Sequence, residues 1–106
     1  MTKTYQINGS FRDWMQAHRY QLYEDILINC EEALEEEVYQ VLVANLMSSN
    51  GSMLFSLPTP SAVVESLKKC ETAFVQQEDY ELAARARDCG SSWANREKIY
   101  KENSLT

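Results

Sequence analysis

Cysteine is scarce in this chain, and what there is does not pair: Cys30, Cys70 and Cys89 are an odd number with no Cys-x-x-Cys spacing. That excludes a disulfide framework and a zinc ribbon, and leaves buried free thiols as the expectation. Three glycines and two prolines are too few for a collagen-like or low-complexity chain. The single histidine, His18, has no partner in a nucleophile–base motif, and it falls on an apolar helix side with Met15, Leu22 and Ile26. No Glu-x-x-His pair, no glycine-centred calcium loop and no glycine-rich phosphate loop is present. No enzyme, metal site or cofactor is therefore expected. Basic residues are outnumbered, 10 against 16 acids for a net charge of −6. Phosphate binding draws on clustered cations, so direct contact with nucleic acid or an anionic membrane is disfavoured. No apolar run approaches the ~20 residues of a membrane span. The polar start lacks the basic and apolar regions of a secretory signal, so a cytoplasmic location is expected.

What is there is one domain's worth of chain: 106 residues, 44% of them apolar and 10% aromatic. Glycine and proline fall only at Gly9, from Gly51 to Pro60 and at Gly90, which divides residues 1–106 into an acidic helical region (10–49), a connector (50–59) and a helical hairpin (60–102). Ser10 is an N-cap candidate with Asp13 three residues on. From there an apolar line through Tyr23, Leu27, Cys30, Leu34, Val38, Val41 or Leu42 and Leu46 keeps helical steps of three and four. A straight helix over 11–47 would measure ~55 Å, too long for a 100-residue domain. A break is therefore expected between Asn29 and Glu37, where five glutamates crowd together with like charges at i,i+4; an unbroken helix packed against a second copy is the other solution. Ser48 to Ser52 reads as a turn and Met53 to Leu57 as a buried connector, with pairing to Thr4–Ile7 as at most a minor two-stranded ribbon. Thr59-Pro60 is a strong helix start. The stripe Val63, Val64, Leu67, Cys70 and Phe74 continues that helix to about 77, with Lys68 and Lys69 turned to water. Asp79 can cap a second helix carrying Leu82, Ala83, Ala86 and Cys89. The fold expected is all-α, a small bundle ending in an αα-hairpin.

Within that hairpin the run Glu78-Asp79-Tyr80-Glu81-Leu82-Ala83-Ala84-Arg85-Ala86-Arg87-Asp88 stands out. Residues 62–89 resemble the UVR motif, a helical hairpin found in excinuclease B and C subunits and in some Clp-type ATPases and their adaptors. Its signature is aromatic-Glu-x-Ala-Ala-x-x-Arg-Asp, matched here by Tyr80, Glu81, Ala83, Ala84, Arg87 and Asp88. The sequence departs from it at Gly90, where a branched apolar residue is usual, and at Ala86, which is smaller than the usual leucine. The resemblance implies a non-enzymatic interaction module or small adaptor in DNA-repair or Clp-type complexes. It would bind another protein, or a second copy of itself, through those six residues.

The second informative feature is charge. Residues 1–53 hold eight acids and three bases, and Glu24 to Glu37 hold seven acids with no base. On a helix Glu31, Glu32, Glu35 and Glu36 would present a negative face, which either solvates the protein or docks a basic partner. The alternative function is thus an acidic inhibitor, a nucleic-acid mimic of the kind phages encode, that blocks the basic surface of a nucleic-acid-binding protein.

Overall fold

A computed structural model describes residues 2–104. Its elements run β1 (Lys3–Gln6), α1 (Phe11–Ala17), α2 (Arg19–Ala33), β2 (Val41–Ser48), β3 (Gly51–Leu57), α3 (Pro60–Gln76) and α4 (Tyr80–Ser104). The sheet order is β1-β2-β3. β1 lies parallel to β2, with Lys3 opposite Ala44, and the parallel pairing requires a crossover, which α1 and α2 supply. β2 and β3 form an antiparallel hairpin turning at Ser49 and Asn50, where Gly51 takes φ +130°. The fold is therefore α+β, and the all-α expectation is wrong. So is the minor ribbon: β2 stands between β1 and β3, and the stretch from Val41 to Met47, expected to be helical beyond the break, is strand.

The physical reason lies in β2. Its pairing with β3 slips by one residue between Leu42 and Ala44, leaving Val43 as a bulge. The bulge lets Val41, Val43, Ala44 and Leu46 all turn inward and be buried, whereas strict alternation would have exposed half of such a run. Val41 to Ala44 and Val43 to Leu46 are three-residue steps, which imitate a helix.

Met53 to Leu57, expected as a buried connector, is instead part of the edge strand β3, with Met53 and Leu54 about half exposed. The expectations for caps, the break in the acidic stretch and the helical stripes match the structure. Ser10 accepts from the Asp13 amide at 3.4 Å, and Thr59 accepts from the Ala62 amide at 3.1 Å with Pro60 as the first helical residue. The acidic stretch breaks at Leu34, inside the expected window. A second break, at His18, divides α1 from α2. Val63, Leu67, Cys70 and Phe74 of α3 are buried, as are Ala83, Ala86, Cys89 and Trp93 of α4. Asp79 caps α4 through the Leu82 amide at 3.3 Å, and Glu78 at φ 59° makes the left-handed turn between the two helices. α4 continues through Gly90 without interruption for 25 residues.

α2 and α3 pack on one face of the sheet, α4 packs on α3 and α2, and the core fills the space between these layers. Among the described residues the other face has no cover. On it Leu42, Met47 and Leu54 stand 43% to 49% exposed.

Candidate functional site

The hairpin signature divides between inside and outside. Successive helical residues point about 100° apart, so Ala83 and Ala84 cannot share one flank. Ala83 is buried in the core, while Ala84 is half-buried. Tyr80 is 63% exposed and leaves the end of α3 uncovered; Tyr20 of α2 packs there instead, edge-on to Phe74 and donating its hydroxyl to Asp79 at 3.2 Å. Glu81, Arg87 and Asp88 are exposed, and Arg87 pairs with Asp88 at 3.2 Å. What the signature leaves outside is a row of Tyr80, Ala84 and Arg87 with Glu81 and Asp88 beside it.

The acidic residues do not form a continuous stripe. Glu31 receives a two-pronged guanidinium bond from Arg85 (3.1 and 2.5 Å), which raises the Arg85 pKa above its ordinary value and ties α2 to α4. Glu32 closes α2. Glu35 and Glu36 lie beyond the helix end, exposed in the turn with Glu37. Asp25 is 1% exposed and accepts from the Tyr5 hydroxyl, from Gln21 at 3.2 Å and from the Lys3 ammonium at 3.1 Å. This network ties β1 to α2. Burial, followed by the bond to Asp25, pushes the Tyr5 phenol up to about 12.

His18 stacks on Trp14 with ring centres 4.4 Å apart, and its Nδ1 lies 2.9 Å from the Trp14 carbonyl. It serves the junction between α1 and α2. The three thiols are buried, and burial pushes Cys70 and Cys89 up to about 12 and Cys30 up as well, so they are poor nucleophiles. Among the described residues no group of His, Cys, Asp and Glu is arranged to hold a metal ion, and no helix is long and apolar enough to cross a membrane.

Pattern reading missed one cluster altogether, at the far end of α2. Arg96 of α4 donates to the carbonyls of Ala33 (2.9 Å), Leu34 (3.0 Å) and Val38 (3.0 Å), and its guanidinium lies 4.8 Å from the Trp93 ring centre. Trp93, itself fully buried, donates its indole N–H to the Cys30 carbonyl at 3.0 Å. A cation at a helix C-terminus meets orphan carbonyls there. The only sequence signal was an Arg three residues after a Trp.

Concavity concentrates between α1, α2 and α3. One basin of about 650 Å³ is lined by Phe11, Met15, Leu22, Ile26 and, from β3, Phe55. A polar cleft of about 830 Å³ continues from it, sharing Gln16, Arg19, Tyr23 and Lys69. Arg12, Arg19, Lys68 and Lys69 line this groove, and all four are exposed. None of them forms an ion pair among the described residues. Among the described residues Glu65 is the one acid lining it.

No family model, curated protein or solved structure matches this chain.

Proposed function

We propose that this chain is a non-enzymatic protein-interaction module, an adaptor or regulator of the cytosol, that docks an acidic amphipathic helix of another protein in the groove walled by α1, α2 and α3. Cation placement carries the proposal. Three of the chain's ten basic residues, Arg12, Arg19 and Lys69, border an apolar floor, Lys68 lines the polar cleft that adjoins it, and none of the four forms an ion pair among the described residues, in a protein of net charge −6. Such a rim attracts carboxylates and repels basic segments, while the floor takes the apolar row that a helix presents at i, i+3 or i+4, and i+7. The resemblance to the UVR hairpin supports an interaction role in DNA-repair or Clp-type complexes. It is α3 of that hairpin that builds a wall of the groove, and the α4 row of Tyr80, Ala84 and Arg87 is the competing surface.

The test uses three labelled helical peptides in fluorescence anisotropy: one with an apolar row flanked by glutamates, its lysine counterpart, and a scrambled control. Only the acidic amphipathic peptide should bind. Its affinity should fall roughly tenfold or more with Arg19→Glu and Lys69→Glu together, since ~1.4 kcal/mol of charge reversal suffices. Tyr80→Ala should leave it unchanged. Binding that survives the double charge reversal and is lost with Ala84→Glu would move the docking surface to the α4 flank. Failure of the acidic peptide to bind would retire the groove.

The acidic-inhibitor alternative draws on Glu35, Glu36 and Glu37, exposed side by side after α2. Replacing Glu31, Glu32, Glu35 and Glu36 by Gln should then remove the salt dependence of capturing a basic partner.

A further inference from the structure

From Val38 to Val64 there is not one charged residue, in a chain that is 25% charged. Both long strands lie in this stretch. β2 is central, but β3 is an edge, and its outer row of backbone N–H and C=O groups is unpaired in the sheet. Natural edge strands are kept short or guarded by lysine, proline or a bulge. β1, the opposite edge, conforms: it has four residues and carries Lys3. β3 has seven, Gly51–Leu57, with no charge and no proline within it.

The polarity of β3 is also symmetric. Ser52-Met53-Leu54-Phe55-Ser56 reads the same in either direction as polar, apolar, apolar, apolar, polar, with Leu54 at the centre. An antiparallel pair formed by two copies about an axis through Leu54 sets Leu54 against Leu54, Met53 against Phe55 and Ser52 against Ser56. Met53 and Leu54 are the exposed apolar residues of the strand, 51% and 49%. In that pairing Met53 of the second copy shares the helix-side face with Phe55, beside the apolar basin that Phe55 lines. A copy of net charge −6 meets no acid along this edge.

We propose that β3 pairs antiparallel with β3 of a second copy about a two-fold axis through Leu54, joining two three-stranded sheets into one of six strands. A two-fold interface uses the same patch twice, and a strand palindromic in polarity satisfies that condition with no further adjustment. This interface does not depend on the groove reading, because it uses the backbone edge and the residues of β3.

Sedimentation of the full chain over a concentration series should show a species of twice 12.2 kDa. Leu54→Lys, which sets like charges face to face at the axis, should weaken the dimer roughly tenfold or more. Because Leu54 is half exposed on the uncovered sheet face, helical circular dichroism should be unchanged. Leu54→Cys gives a second readout that does not depend on that variant folding well. Directly opposed Cβ atoms lie about 4.5–5.5 Å apart, at the edge of disulfide reach. Mild oxidation should therefore link Leu54→Cys into a covalent dimer, while the wild type, with its thiols buried, and Thr4→Cys on β1 stay unlinked. A single-chain mass at every concentration would overturn the proposal. So would a dimer indifferent to Leu54→Lys, or cross-linking through Thr4→Cys in place of Leu54→Cys.

Discussion

Replacing Arg96 by alanine removes the donor for three carbonyls at one point of the fold. The Ala33 carbonyl keeps a second donor, the Glu36 amide at 3.1 Å, whereas no other protein donor reaches the Leu34 and Val38 carbonyls among the hydrogen bonds of the described residues. Hydrogen bonds from a charged donor contribute about 1.5–3 kcal/mol each when well shielded. Arg96 is half-buried, so about 1 kcal/mol per orphaned carbonyl is the fair discount, with about 0.5–1 kcal/mol more for the guanidinium over Trp93. The expected loss is about 2.5–3 kcal/mol, a large share of the ~5–15 kcal/mol by which a domain of this size is stable. In thermal denaturation followed by circular dichroism that is a drop in Tm of about 10–15 °C. Arg96→Lys should recover about half of it, because an ammonium keeps the charge near the helix end but cannot address separate carbonyls with a planar fork. An alanine variant within about 0.5 kcal/mol of wild type, or a lysine variant equal to wild type, would refute the reasoning, since surface changes of no consequence fall in that range.

Two further predictions concern single positions. Gly90→Ala should stabilise the chain by about 0.5–1 kcal/mol in urea denaturation, because the position is inside α4 and an added Cβ meets the Leu67 Cβ at an ordinary 3.7 Å; a loss of stability would show that α3 and α4 touch more tightly there. Tyr5 ionises near 10.0 in an open chain and about 12 when folded, so its contribution is full below pH 10 and is lost as pH rises through 12. Unfolding measured at increasing alkalinity should lose stability over that window, and Tyr5→Phe should remove this part of the pH dependence; an identical pH profile in the variant would contradict it.

The helical half of the fold was legible because its signals are local. A serine, threonine or aspartate at an N-cap and the stripe along α3 are set by residues within one turn of each other, and each of these was found in place. The sheet depends on partners far apart. Lys3 pairs with Ala44, and a four-residue strand has too short a pattern to announce itself. The stretch around β2 carried a signal in its composition, since Val38 and Tyr39 just before it and Val41 and Val43 within it are residue types that suit strands. The bulge at Val43 outweighed that signal by breaking the two-residue alternation on which strand recognition rests. In β3 both Met53 and Leu54 stay exposed although they point to opposite faces, so its apolar run shows no alternation either.

The same omission hid the groove. Arg12 and Arg19 belong to the first third of the chain and Lys68 and Lys69 to the last half, and as residues on separate helices each reads as an ordinary solvated cation. What brings them together is the β2–β3 hairpin, which reverses the chain after α2 and delivers α3 alongside it. A continuous helix to Met47 would have carried the chain away from α1 and left no concavity between these four residues. The signature on α4 was legible as a string, yet its inner member, Ala83, is spent on packing against α3. Residue identity alone could therefore propose that this protein binds a partner. The choice among the α4 flank, the basic-rimmed groove and the bare edge of β3 requires the sheet, because only the sheet determines which surfaces the helices leave uncovered.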